Sequence, residues 1–358
     1  MNTAWDKSSH QRRSQSGLSL IELMIALVLG VVLTLGVTQV FLGSSKTYRT
    51  SDAVAFLQEN MRFSLSRISR DVRMAGHSGC LVGEPEDHLD KSATFYNAAL
   101  LDPGQGVIGW EAAGTGLKDT LSISGFSVGT GTVSNGTGDT APTQISSKAV
   151  AGTDFIVLTG GERSDVILDG NVSGVTDTIK TKNVSGINKE TILVAVTEDC
   201  SGGDRFQNTK EATDHDLKAA GNLTSEYTDD AAVYLFRSRG FYIGIGTNGE
   251  PALFRVALTP GESSTPVELV SGVENMQILY GVGGASGSAE QYVVASSVTD
   301  WASVVSVRVA LLMRSEDNVL DESTANDYNL VGVKVSPSAD KRARLVATTT
   351  IGVRNRLE

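Results

Sequence analysis

One stretch constrains this chain more than any other: Leu18 to Leu42, LSLIELMIALVLGVVLTLGVTQVFL, 25 residues with a single charge, Glu22. About 20 apolar residues suffice to cross a bilayer as a helix, and from Leu23 to Val40 no charge interrupts the run. Lys7, Arg12 and Arg13 precede it against one acid, Asp6, so the positive-inside rule keeps the front of the chain cytoplasmic and sends the rest outside. An ordinary secretory signal has an apolar region of about 7–15 residues and an A-x-A-like cleavage site. Here the run is longer, and no such site follows near Gly43 to Lys46. A plain single-pass anchor leaves Glu22 unexplained. A carboxylate at a helix centre costs about 2.5–3.5 kcal/mol on insertion scales, less near the end, and still wants a partner.

The apolar pattern continues beyond the run. Leu57, Met61, Leu65, Ile68, Val72 and Ala75 recur at the spacing of one helical face, and no proline occurs before Pro85. The spacing predicts one helix from Leu18 to Val72, roughly 55 residues and about 80 Å long. Its first half is apolar all round and its second half amphipathic, as suits a helix that leaves lipid and then lies on a globular body. Gly30, Gly36 and Gly43 each weaken it by about 1 kcal/mol and are sites of bending or close helix contact.

After Gly76 the texture changes to short apolar runs cut by Gly, Asn, Asp and Ser. Residues 154–159, 190–197, 232–237, 240–245, 252–258, 304–313 and 344–353 read as strands, and Thr247-Asn-Gly-Glu250 as a hairpin turn. With 38 glycines and 6% aromatics, the head is expected to be mostly antiparallel β. Residues 114–138 read as loops or exposed hairpins, and 201–230 as a solvated loop. Asn171-Val-Ser-Gly-Val175 and Asn183-Val-Ser-Gly-Ile187 suggest a local turn repeat.

Chemical motifs are sparse. Gly244-Ile-Gly-Thr-Asn-Gly249 satisfies GxGxxG, but a strand-like run follows where a dinucleotide site needs a helix. His10, His77, His88 and His215 are dispersed without metal-ligand spacing, and no GxSxG, CxxC or P-loop occurs. The expectation is no enzyme, no cofactor, no metal and no small-molecule substrate. Thirty Lys plus Arg against 41 Asp plus Glu give a net charge of −11, which disfavours general nucleic-acid binding. The basic tail, Lys341, Arg342, Arg344, Arg354 and Arg356, reads as an edge strand with charges in water, or else as a docking surface for an acidic neighbour. Cys80 and Cys200 can form one bridge, which an oxidising compartment outside the inner membrane would close.

Gln15-Ser-Gly-Leu-Ser-Leu-Ile-Glu-Leu23 resembles the class III signal of type IV pilins and type II secretion pseudopilins. The resemblance implies cleavage by a prepilin peptidase between Gly17 and Leu18, N-methylation of Leu18, and an assembly role for Glu22, the fifth mature residue. Leu18 stands where that family usually has Phe. The head is similar to the PilW minor pilins: Arg70-Asp-Val-Arg-Met-Ala-Gly-His-Ser-Gly-Cys80, Glu198-Asp-Cys200, Gly249-Glu-Pro-Ala-Leu-Phe-Arg255, Val273-Glu-Asn-Met-Gln277 with Tyr280-Gly281, Trp301 to Ser315, and Arg342 to Arg356. Residues 82–150 match least. The fold implied is the α+β pilin lollipop: a leader over 1–17, a transmembrane half-helix over 18–42, an amphipathic half over 43–75 and a periplasmic β head over 76–358. The implied function is a minor pilin that primes pilus assembly and ends at the fibre tip, in twitching motility, adhesion or DNA uptake. Its partners would be other minor pilins and the major pilin. A J-type minor pseudopilin of a type II secretion system shares the same helix, and a tip adhesin would use residues 114–138 to contact a ligand.

Overall fold

The computed structural model of the chain describes residues 17, 19–81, 83–93, 96–101, 106–129, 131–170, 174–283 and 287–354. Leu18, Asn171, Arg356 and the first 16 residues, with Lys7, His10, Arg12 and Arg13, lie outside the described residues. The chain divides into two units, Met1–Asp52 and Ala53–Glu358.

A proline-free apolar run has nothing to break i to i−4 hydrogen bonding, and helix α1 accordingly spans Leu20–Arg73. In the first unit its side chains from Leu20 to Leu42 are all exposed. From Ala53 onward it belongs to the head, where Leu57, Met61, Ser64, Ile68 and Val72 are buried and Leu65 is half-buried. The expected stripe is thus the core face, with Ser64 admitted because its hydroxyl donates to the Asn60 carbonyl at 2.8 Å.

The principal strands are β1 (Val107–Ala112), β2 (Thr120–Ile123), β3 (Phe155–Arg163), β4 (Ile192–Val196), β5 (Gly203–Gln207), β6 (Ala232–Ile245), β7 (Pro251–Ala257), β8 (Val267–Ser271), β9 (Val273–Gly283), β10 (Ala289–Val293), β11 (Val304–Arg314), β12 (Val333–Pro337) and β13 (Arg344–Gly352). The largest sheet runs β5-β4-β6-β3-β1, with β7 on β6 and β8 on β7; a second runs β10-β9-β11-β13. Pairing is antiparallel throughout these two orders. Parallel pairing occurs between β2 and β12 and between Glu86–Asp87 and β5. One core joins the helix stripe to both sheets, with Trp110 stacked on Phe155 at 5.2 Å and Tyr280 edge-on to Trp301 at 4.8 Å.

Two strand expectations need correction. Residues 232–237 and 240–245 form one strand, β6, not two. The polar Arg237-Ser238-Arg239 between them stays in the ladder because Glu162 of β3 meets both arginines, at 3.3 and 2.8 Å. Residues 201–230 are not a solvated loop. They contain β5 and the strand Asp216–Lys218, and Phe206, Leu217, Ala219, Leu223 and Tyr227 pack with Leu168, Ile179 and Ile187 in a second core. The segment's polarity misleads because its charges are spent internally. Asp204 accepts from His88 Nε2 at 2.6 Å, from the Thr224 hydroxyl and from Tyr227 Oη at 2.5 Å, while fully buried Arg205 pairs with Asp87 at 2.8 Å. The GxGxxG stretch is the β6–β7 hairpin, closed by Gly246 N donating to Glu250 O at 2.8 Å, with Gly249 at φ +79°.

Candidate functional site

Gly17 is exposed, and Glu22 lies in the first turn of α1, where the helix dipole favours a negative charge. Its side chain is exposed, as are its apolar neighbours Leu20, Ile21, Leu23 and Ile25. Threonines along this part of the helix bond back to its own carbonyls. The Thr34 and Thr38 hydroxyls donate to the Gly30 and Thr34 carbonyls at 2.7 and 2.8 Å, and Thr47 donates to Gly43 at 3.0 Å. Glu22 is therefore the one ionisable side chain among the described residues of the apolar run. Gly30, Gly36 and Gly43 face open space, so another helix could approach the backbone there. By length and composition this helix could cross a membrane.

The exit of the helix is pinned to the sheet. Gly76 N donates to Thr159 O at 2.7 Å and Gly161 N to His77 O at 2.5 Å. This approach needs glycine: a Cβ on Gly160 would stand 2.7 Å from Met74 O. Tyr234 covers Gly79, and just beyond, Cys80 is bonded to Cys200 in the β4–β5 turn, with Cα atoms 5.4 Å apart. The bridge ties helix exit to sheet across 120 residues of sequence.

The basic tail departs from expectation. Arg342 and Arg344 neither face water nor form an open docking patch; they join Arg314 in a chain of alternating charge. Arg344 grips Glu274 at 2.6 and 3.0 Å and Asp340 at 2.6 and 2.7 Å, and Arg342 grips Glu250 at 2.9 and 3.2 Å. Arg314 bonds Glu250 and lies 3.8 Å from Glu274. Three guanidiniums balance three carboxylates, and Arg344 and Glu274 are almost wholly buried. Burial opposes the charge on Asp340, but the Arg344 guanidinium outweighs it and holds the carboxyl below its ordinary range.

A second buried acid site escaped the sequence reading. Thr115 Oγ1 lies 3.3 Å from Glu111 Oε1 and 3.4 Å from Asp154 Oδ1. Backbone N–H groups of Ala295, Ala112 and Ile278 donate to these acids, tying β1 to β9. Burial, and then the neighbouring Asp154, push the Glu111 carboxyl up to about 9, and burial raises Asp154 as well. A lone Glu111 in the otherwise apolar run 107–112 and an aspartate just before β3 are the local signals, and neither foretold their meeting.

Residues 240–355 match the family model of Type IV Pilus-assembly protein W, PilW, and residues 12–38 match the prokaryotic N-terminal methylation motif. The chain is thus similar to pilin-type proteins in two separate segments, one in its C-terminal third and one at its N-terminus. The first match holds the end of β6, strands β7 to β13 and the alternating-charge chain; the second holds Gly17, Leu18 and Glu22. Residues 39–239 lie outside both. The long apolar helix and the mostly antiparallel head fit a pilin. A membrane-anchored pilin fits the methylation-motif match and the long apolar helix that overlaps it. Among solved structures, the type IV-like pilin TTHA1219 from Thermus thermophilus is similar at 12% identity and a TM-score of 0.30, covering 84% of this chain and 97% of that one. No curated protein matches the chain.

Proposed function

We propose that this PilW-type chain is a minor pilin that primes type IV pilus assembly and sits at the fibre tip, supporting twitching motility, adhesion or DNA uptake. It acts by association and not by catalysis. The chain enters the inner membrane with its head in the periplasm, is cut between Gly17 and Leu18, and is methylated on Leu18. The new amine stands about one turn from Glu22, so either this amine or a neighbour's neutralises the carboxylate in lipid. Other minor pilins and the major pilin then pack on the bare helix. The observation that carries this reading is the apolar half of α1, exposed from Leu20 to Leu42, whose one ionisable side chain among the described residues lies in its first turn.

N-terminal mass analysis of membrane protein, with and without the prepilin peptidase, tests it. A terminus at Leu18 that depends on the peptidase is expected, and an intact Met1 form that still supports piliation overturns the reading. Deleting the gene should abolish fibres. Normal fibres with lost protein secretion would instead assign the chain to a type II secretion system.

A further inference from the structure

The outermost strands of the two large sheets end in different ways. β5 carries the short strand Glu86–Asp87 on its outer side, and β1 carries Val133–Ser134. β8 and β10 each shift register against their neighbours, at Leu253/Phe254 and Val282/Gly283, and each holds an acid, Glu268 and Glu290. Covering, bulging and charging are the ordinary means by which an edge is kept from pairing. β13 uses none of them. Its nine residues pair with β11 from Arg344 opposite Arg314 to Gly352 opposite Ser306 without a shift, and neither charge nor proline interrupts Leu345 to Val353.

Which groups this edge offers follows from its two ends. Ser315 N donates to Ala343 O at 2.8 Å and Val353 N to Val305 O at 2.9 Å, so the odd-numbered residues of β13 bond to β11. Arg344, Val346, Thr348, Thr350 and Gly352 therefore turn their N–H and C=O outward, where these groups have no hydrogen-bond partner among the described residues. Donors and acceptors alternating over about 30 Å match one complement, the backbone of another extended strand. Side chains add a face on each side. Leu345 and Ala347 pack on the main core yet stay half-buried at the sheet's end, whereas Thr348 and Thr350 on the other face are exposed.

Charge selects among strands. Arg308 of β11 stands opposite Thr350; its Nε donates to Thr350 Oγ1 at 3.0 Å, and its guanidinium lies 3.8 Å from the Tyr292 ring centroid. Arg354, just past the strand, is exposed. Neither arginine has a carboxylate partner among the described residues, whereas nearby Arg314, Arg342 and Arg344 all do. A second copy of β13 is a poor complement. The two antiparallel registers that pair most of the outward groups set Arg354 against Arg342 or Arg344, and supply no acid.

We propose that β13 takes as an added strand an extended segment of another protein, with apolar residues at alternate positions and an acidic residue beside Thr350. The apolar positions cover Leu345 and Ala347, and the acid answers Arg308 and Arg354, since directly opposed residues of paired strands stand about 5 Å apart. The inference does not rest on the assembly role, because the edge lies wholly within the head.

The test uses the full mature chain in detergent and the capped peptide Thr-Val-Glu-Val-Thr-Val-Thr-Leu, whose antiparallel pairing sets Glu opposite Thr350 and Leu opposite Leu345. In calorimetric titration it should bind saturably and slow hydrogen exchange at the amides of Val346, Thr348, Thr350 and Gly352. The same peptide with Lys for Glu should bind about fivefold more weakly. Thr348→Pro removes an outward N–H and spares the β11 ladder, so it should abolish binding with little change in thermal midpoint, whereas Thr349→Pro, which removes a ladder N–H, should lower the midpoint. Arg308→Gln with Arg354→Gln should erase the preference for Glu over Lys, whatever Thr348→Pro does to stability. The proposal is overturned if the Glu peptide does not saturate, if protection falls outside β13, if the Lys peptide binds equally well, or if β13 pairs with its own copy instead.

Discussion

At the scale of single residues, the two buried carboxyls set how the head responds to pH. Glu111 titrates near 4.5 when unfolded and is pushed up to about 9 in the fold. Below this window both states hold the proton, above it neither does, and within it only the folded state does. Stability therefore falls as pH rises across the window, because the fold pays for a buried charge that the unfolded chain carries freely. Glu111→Gln, which keeps the shape and removes the titration, should raise the thermal midpoint at pH 8 more than at pH 5. Equal midpoint shifts at both pH values would show that the carboxyl is not held protonated. Glu22 belongs to the same scale. If it answers a terminal amine, Glu22→Ala should leave leader cleavage intact and exclude the subunit from fibres, as read by immunoblots of sheared pili.

At the scale of elements, β9, β11 and β13 are fastened by the Glu250–Arg314–Glu274–Arg344 chain as well as by their ladders. Removing one partner of a buried pair leaves the other charge stranded and costs about 3–5 kcal/mol. Arg344→Ala should lose about that much in urea unfolding. Arg354→Ala, at an exposed position, should be near neutral. How legible these elements were depended on whether their signal was local. Helix α1 was plain, since its absent proline and its Leu57–Val72 stripe are local facts, and the β7, β11 and β13 runs were plain for the same reason. The 201–230 module was not, because its apolar residues are sparse and its charges pair across more than 100 residues of sequence, as Asp87 does with Arg205. Likewise Arg342 and Arg344 look like surface charge until Glu250 and Glu274 are brought to them. At the candidate site, Gly17, Leu18 and Glu22 stand at a fixed offset that is visible locally, whereas the meeting of Glu111 with Asp154 joins residues 43 positions apart that no local pattern linked.

At the scale of the whole molecule, the head is a continuous hydrogen-bonded body closed by one covalent link. On a chain-entropy basis, a loop of 120 residues is worth about 4–5 kcal/mol. Cys80→Ser with Cys200→Ser should therefore lower urea-unfolding stability by up to that amount, and a reductant should do the same to the parent but not to the double variant. The bridge has a mechanical meaning too. In the proposed fibre role, a pull on the helix would enter the sheet at Gly76, His77 and Cys80. Because Cys80 is locked to Cys200, the intervening chain lies outside the load path. About 400 Å of extension is thereby withheld from a head pulled between its helix and its last strand, at roughly 3.4 Å per residue.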